Sequence, residues 1–237
     1  MLQGHAKEQA VQKMFTSIAR FYDLNNSLLS FGIHHRWKRR AAGLIPVMPR
    51  GRALDVGAGT ADLATLLAAR VGTQGKVIAT DLNQAMLHVG LKKIRRRALG
   101  PCIGCVRANA ETLAFRSNGF DAVTAGFCIR NVANIDRALA EILRVLKPGG
   151  RFVCLEFSRP ISRGLQALYD WYSFRLLPWI GTRVAGDRTG VYRYLPESIR
   201  AFPDQEGFKD LLFKAGFRDV NYHNLSGGIV AIHVAIK

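Results

Sequence analysis

A chain of 237 residues has room for one α/β domain with an insertion and a sizeable core, and two full domains would be cramped. Four cysteines do not make a disulfide framework at this length, and Cys102-Ile-Gly-Cys105 has no second Cys or His pair at zinc spacing, so reduced thiols and no metal are expected. Lys and Arg number 34 against 17 Asp and Glu, a formal net charge of +17 that nucleic acid, an anionic membrane or plain solvent would satisfy equally, so charge alone selects no partner.

Residues 1–50 are rich in aromatic and basic side chains and show no strand pattern. Lys7, Glu8 and Lys13 precede any apolar run, and no stretch reaches the roughly eighteen uninterrupted apolar residues of a membrane span; neither export nor spanning is indicated, and a cytoplasmic location is expected. Next comes Ala53-Leu-Asp-Val-Gly-Ala-Gly-Thr-Ala-Asp62, a strand at 53–57 running into a glycine turn and then a helix over 61–71. Glycine at 57 and 59 lets main chain approach a ligand that a β-carbon would repel, and the helix aims its free N–H groups at the same crevice. A dinucleotide fingerprint asks for a third small residue three positions after Gly59, where Asp62 stands, so a pyrophosphate would meet a carboxylate. A second strand, 76–81, ends in Asp81, roughly twenty positions beyond Gly59, the usual distance for an acid that accepts from ribose hydroxyls. Carboxylates without a phosphate anchor suit a cationic nucleoside, S-adenosylmethionine (SAM), whose sulfonium is positive.

The remaining pattern is helix 84–98, strand 102–107, strand 120–126, helix 135–146, strand 151–157, helix 205–215 and strands 217–224 and 228–236. Gly100-Pro101 and Lys147-Pro-Gly-Gly150 read as breaks, the latter ending a helix and launching the next strand, and Ser226-Gly-Gly228 could join the last two strands as a hairpin. This order specifies an α/β fold with a seven-stranded Rossmann-like sheet, mostly parallel with an antiparallel edge and with helices on both faces. Residues 159–203 fall outside the sheet and, like 1–50, are aromatic and basic. Two basic clusters stand out, Arg36-Trp-Lys-Arg-Arg40 and Lys92-Lys-Ile-Arg-Arg-Arg97, the second expected on an exposed helix face.

The run Tyr22-Asp-Leu-Asn-Asn-Ser-Leu-Leu-Ser-Phe-Gly-Ile-His-His-Arg-Trp37 resembles one signature of the ubiquinone/menaquinone biosynthesis C-methyltransferases, and Arg144-Val-Leu-Lys-Pro-Gly-Gly-Arg-Phe-Val-Cys-Leu-Glu-Phe-Ser158 resembles the other. The similarity spans about residues 11 to 236 and includes Asn109-Ala-Glu111 and Arg130-Asn-Val132. Ala61 stands where the family often has Gly, and Asn25 where Met is common. The resemblance implies a class I SAM-dependent methyltransferase whose parts are a helical substrate lid (1–50), a SAM-binding core (51–158), a helical insertion (159–203) and the last part of the sheet (204–237).

On this resemblance Asp55, Gly57, Gly59 and Thr60 line the first loop, Asp81 takes the ribose hydroxyls, Asn109 and Ala110 hold the adenine edge, and Gly126 lies near the methyl group. The implied substrate is a polyprenylated quinol, methylated on a ring carbon, with Arg130 and Asn131 serving the chemical step. Arg130 would stabilise the developing phenolate or hold a water, since a guanidinium is not a base. Tyr22, His34 and Trp37 would belong to the lid, with His34 able to relay a proton. Phe174, Leu176, Leu177, Trp179 and Ile180 offer apolar surface for a tail, at a spacing that also suits ordinary helix core. Anionic membrane and a second copy of the chain are the other partners envisaged. The rival reading is a nucleic-acid base methyltransferase, or a basic binding module without catalysis; the segment Gly126-Phe-Cys-Ile-Arg130 lacks the Pro-Pro-aromatic run of amino-group methylation, and only Cys128 could serve as a base-attacking nucleophile. No nucleic-acid partner is expected.

Overall fold

The computed structural model describes residues 4–176 and 191–237. Helices α1 (Gly4–Ile18), α2 (Tyr22–Leu29) and α3 (His34–Gly43) precede the first strand. The chain then alternates through β1 (Arg52–Val56), α4 (Asp62–Val71), β2 (Lys76–Asp81), α5 (Gln84–Arg96), β3 (Ile103–Arg107), β4 (Phe120–Gly126), α6 (Ile135–Val145), β5 (Leu146–Phe157) and α7 (Arg163–Trp171). Beyond these come α8 (Val191–Ala201), α9 (Gln205–Lys214), β6 (Arg218–Leu225) and β7 (Val230–Ile236). The strands form one sheet in the order β3-β2-β1-β4-β5-β7-β6, in which only β7 runs against its neighbours. This is the mostly parallel sheet with an antiparallel edge that the residue pattern specifies.

The period of two along each strand sorts the core into two layers. Ala53, Ala79 and Ala122 face one side, where their small size lets Leu63, Leu67 and Trp37 of the covering helices come close. Leu54, Val123 and Phe152 face the other and meet Leu139, Ile142, Phe208 and Leu212 from α6 and α9. Strand order reverses at β1, which pairs with β2 on one side and β4 on the other, so the crevice of an open α/β sheet opens at the carboxyl ends of β1 and β4.

Three local expectations change. Lys147-Pro-Gly-Gly150 is not a break before the strand: α6 passes directly into β5 at Leu146, opposite Phe120, and a bulge with Gly149 at φ +73° absorbs the extra residues before Arg151 meets Ala122. Ala61 is not the first helical residue but takes a left-handed conformation, φ 63° and ψ 30°, with α4 beginning at Asp62. The second basic cluster is exposed at Lys92, Arg95, Arg96 and Arg97, as expected, but not at Lys93. Lys93 turns inward and pairs with Asp23 (2.7 Å) and Asp62 (2.5 Å), while Arg97 donates to Thr65 Oγ1 (3.1 Å). Lys38 of α3 completes this network on Asp62 (2.8 Å), tying the N-terminal helices to the start of α4. Burial opposes the charge of Asp62, but Lys38 and Lys93 outweigh it and hold its carboxyl well below the usual range.

Candidate active site

Two adjoining cavities occupy the crevice. The smaller, ≈ 100 Å³, lies over the ends of β1 to β4 and under α1. Gly57 (φ +62°) and Gly59 (φ +54°) form its first wall; a Cβ on Gly57 would come within 2.6 Å of Cys128 Sγ, so this turn admits no side chain. Asp81 locks the turn from below, its Oδ2 accepting from the Gly59 N–H (2.8 Å) and its Oδ1 from that of Asn83 (2.7 Å). Burial raises the Asp81 carboxyl above its ordinary value against the pull of these N–H donors. Asn109 closes a tight turn by accepting from the Glu111 N–H (2.9 Å) and donates to Glu8 of α1 (3.4 Å). Asn83 holds α1 in place through bonds to Gln12 O and Thr16 Oγ1, both 2.9 Å. Glu8, Asp81 and Glu111 line this cleft, and among the described residues no Lys or Arg does, in a chain of net charge +17.

The larger cavity, ≈ 1000 Å³, is walled by α2, α3, α7, α8 and the ends of β4 and β5. Tyr22, Asn25, Asn26 and Leu29 reach it from one face of α2, the i, i+3, i+4, i+7 set of a helix. Phe15, Tyr22 and Phe127 belong to the walls of both cavities, so the two are separated by no more than these side chains. Arg130 sits in the wall on a 3-10 turn after β4, ion-paired at 2.6 Å with Glu156 of β5 and lying over the Phe157 ring at 5.2 Å. Burial works against its charge, yet Glu156 more than compensates and the guanidinium stays protonated. Asn131, next in line, donates to Phe127 O (3.2 Å) and accepts from Tyr194 of α8 (2.9 Å). His34 is 3% exposed; burial, then Lys38 and His35, lower its pKa to about 4, so it is neutral near pH 7. Its Nε2 meets Ser27 Oγ at 3.3 Å and its Nδ1 has no partner.

A sequence profile of the ubiE/COQ5 methyltransferase family matches residues 3–237. The chain belongs to that family. It is 49% identical over 231 residues to the ubiquinone/menaquinone biosynthesis C-methyltransferase UbiE of Legionella pneumophila (strain Corby), covering 98% of this chain and 92% of the relative. The corresponding Vibrio cholerae protein is 47% identical, with 98% and 88% covered. In fold the chain is similar to a SAM-dependent methyltransferase of Aquifex aeolicus (TM-score 0.62, 18% identity, 84% of this chain and 88% of that one) and to another from Thermotoga maritima (0.62, 20%, 95% and 99%). Membership makes the protein a SAM-dependent methyltransferase.

Within this ubiE/COQ5 member, Gly57, Gly59, Asp81, Asn109, Ala110, Gly126, Asn131 and Tyr22 all border the smaller cleft. Arg130, His34 and again Tyr22 border the larger cavity. Asp55 and Thr60 border neither. Asp55 is fully buried behind the turn, its Oδ2 accepting from the Ala64 N–H (2.9 Å) and Oδ1 from Thr124 Oγ1 (2.7 Å), and Thr60 donates to Asp23 (2.6 Å). Both bond to the turn, the α4 terminus and their neighbours, on the side away from the two cavities. Trp37 packs against the contacting rings of Phe127 and Phe157 and donates to Ser226 Oγ (3.0 Å), making it part of the cavity frame. Phe174 is half exposed with Arg200 over its ring (5.2 Å), the Leu176 backbone ends a π turn, and Leu177, Trp179 and Ile180 lie outside the described residues. Cys128 donates to Val56 O (3.1 Å), and burial, above all, raises its thiol well above the usual value, which leaves no thiolate for base attack.

Glu156 and Tyr194 are among the residues that escaped the sequence reading, as are Phe15, Glu8 and Asn83. Glu156, 1% exposed, had a signal: a lone acid near the end of an otherwise apolar strand needs a buried partner. Tyr194 had none, because only tertiary packing brings α8 over Asn131.

Proposed function

We propose that the protein binds SAM in the acid-lined cleft and transfers its methyl group to a ring carbon of a reduced, polyprenylated quinone in the larger cavity, as in forming a menaquinol from its demethyl precursor or methylating the benzoquinol of ubiquinone synthesis. The shared wall carries this reading: a donor in one cavity and an apolar ring in the other would be neighbours across Phe15, Tyr22 and Phe127. The relatives named for ubiquinone and menaquinone biosynthesis support the substrate class.

The cleft's chemistry suits this cofactor. Three carboxylates and no basic side chain favour a sulfonium nucleoside and disfavour a phosphate. Asp81 would accept from the ribose hydroxyls, Asn109 and Ala110 would flank the adenine, and Gly57, Gly59 and Gly126 would border the rest. Asp55 and Thr60 would act through the turn they brace. When bound, SAM supplies an electrophilic methyl group.

The remaining chemistry falls to side chains around the ring. A quinol carbon becomes nucleophilic when the neighbouring hydroxyl gives its proton to water. The carbon that gains the methyl group then releases its own hydrogen to solvent as a proton, which restores the aromatic ring, and the oxygen is reprotonated. Arg130, charged and fixed by Glu156, would stabilise the resulting phenolate. His34 is a weaker candidate for proton acceptor than its type suggests: with a pKa of about 4 against roughly 10 for a phenol, direct transfer would be uphill by about 8 kcal/mol. We therefore assign His34 to orienting the ring through a hydrogen bond, and Tyr22 and Asn131 to shaping the junction of the cavities. Holding carbon and methyl group in line is the larger contribution, since well-oriented intramolecular reactions gain roughly 7–11 kcal/mol. Segments 1–50 and 159–203 would act as the substrate enclosure.

Methyl transfer from radiolabelled SAM tests the assignment, with a short-tailed demethylated quinol and an RNA pool offered in parallel. Label in the quinol and none in RNA is expected; label in RNA alone would overturn the reading.

A further inference from the structure

The exposed apolar side chains are not scattered. Of the twelve large ones among the described residues, ten belong to residues 1–50 and 159–203, leaving only Val106 and Phe213 elsewhere. Within α2 the segregation is sharpest. One face lines the large cavity, while Leu24 (56% exposed) and Leu28 (64%) look outward, continued by Phe21 (61%) before the helix and Phe31 (91%) after it. Phe31 takes the left-handed position (φ 50°) that closes the end of α2, where the Gly32 N–H donates to Ser27 O (2.8 Å), and its ring stands in solvent at the edge of the large cavity. No residue of α2 is buried, so this helix forms a thin wall with an apolar outer surface.

Charge accompanies the apolar stripe. α3 turns Trp37 and Ala41 inward and leaves Arg36, Arg39 and Arg40 exposed, the first two also lining the large cavity, and none of the three pairs with a described acid. From the opposite side of the cavity, Leu168 (60% exposed) and Trp171 (57%) of α7 stand at the rim, and Tyr172 Oη donates to Leu29 O (3.2 Å), which binds the end of α7 to the end of α2. Unpaired arginines beside an apolar ridge are the surface of an interfacial helix, the cation meeting headgroups and the ridge entering the acyl boundary. No described helix is long and apolar enough to cross a membrane, so such a contact would be with one leaflet.

We propose that the outer face of α2, with the 30–33 turn, the arginine face of α3 and the rim of α7, docks on an anionic phospholipid bilayer and sets the mouth of the large cavity against the leaflet. A tail anchored in the membrane then need not leave it for the ring to reach Arg130. The proposal rests on the quinol reading and adds the surface through which that substrate arrives.

The test uses Leu24→Ser/Leu28→Ser and Arg40→Gln, none of which touches the cavity. Wild-type protein is expected to sediment with vesicles of mixed phosphatidylglycerol and phosphatidylcholine, not with phosphatidylcholine alone, and to be released by added salt. The double leucine variant should lose at least about ten-fold in partitioning and Arg40→Gln roughly five-fold. Both should turn over a short-tailed quinol in solution as wild type does, while the leucine variant loses turnover of a long-tailed quinol embedded in vesicles. Equal binding to neutral and anionic vesicles, or unchanged partitioning of the leucine variant, would overturn the docking surface. So would a wild-type dimer in sedimentation velocity that the leucine variant abolishes, because a second copy would then own the ridge. Failure of the soluble assay in wild type would instead strike the quinol reading itself.

Discussion

Asp55 offers a quantitative test of how the cofactor turn is built. Its carboxyl is fully enclosed, and burial lifts its pKa to about 7 despite the hydrogen bonds from Thr124 and Ala64. A group whose folded pKa exceeds its unfolded value near 3.8 holds its proton longer when folded; its contribution is most favourable below about pH 4 and is lost as pH rises toward 7. Three units at about 1.4 kcal/mol each put the loss at up to about 4 kcal/mol. Asp55→Asn keeps the shape: Oδ1 can accept from the Ala64 N–H, and Nδ2 can donate to the Thr124 hydroxyl, which rotates to receive it. His34 and His233, both lowered by burial to about 4, titrate with the opposite sign between about pH 4 and 6.5, so the wild-type curve alone is uninformative. The difference between wild type and variant isolates Asp55. Urea denaturation followed by far-UV circular dichroism should show the variant ahead by only about 1 kcal/mol at about pH 4.5 and by up to about 4 kcal/mol at about pH 8. A difference that does not change with pH would refute the reasoning.

Four further outcomes follow from the same contacts. Asp81→Asn removes a charged acceptor at the glycine turn and is expected to weaken SAM binding by about ten- to a hundred-fold in calorimetry. Arg130→Lys keeps a cation opposite Glu156 and should lower turnover about a hundred-fold with SAM affinity unchanged, whereas Arg130→Ala strands a buried carboxylate and should cost about 3–5 kcal/mol in a denaturant titration. Ala61→Gly relieves about 1 kcal/mol of left-handed strain but removes a fully buried methyl worth about 0.8 kcal/mol, so the melting temperature should move by less than about 2 °C. The ≈ 100 Å³ cleft is smaller than the roughly 300 Å³ of ordinary ligand pockets, and α1, held by Asn83, covers it. Asn83→Ser retains a helix cap while releasing Gln12 and Thr16, and faster SAM association in stopped flow is the expected result.

The pattern of apolar residues was sufficient for the sheet and its helices, because alternation at period two and at 3.6 is a local property that burial then enforces. The glycine turn and Asp81 were legible for a similar reason: a positive φ and a strand-end acid leave marks within a few residues of themselves. What a side chain faces is a different matter. Asp55 and Thr60 share the motif of Gly57 and Gly59 but point behind the turn, Asp55 to the Ala64 N–H and Thr124 and Thr60 to Asp23. Lys93 lies in what reads as a solvent-facing basic run, yet Asp23 and Asp62, from two other helices, draw it inward. The Arg130–Glu156 pair joins the turn after β4 to β5, and Tyr194 reaches Asn131 only because α8 folds across the crevice. Local regularity thus decided the scaffold and the place of the cofactor turn, while the partners of every buried charge and the common wall between the two cavities came from contacts distant in the chain, which no window of sequence contains.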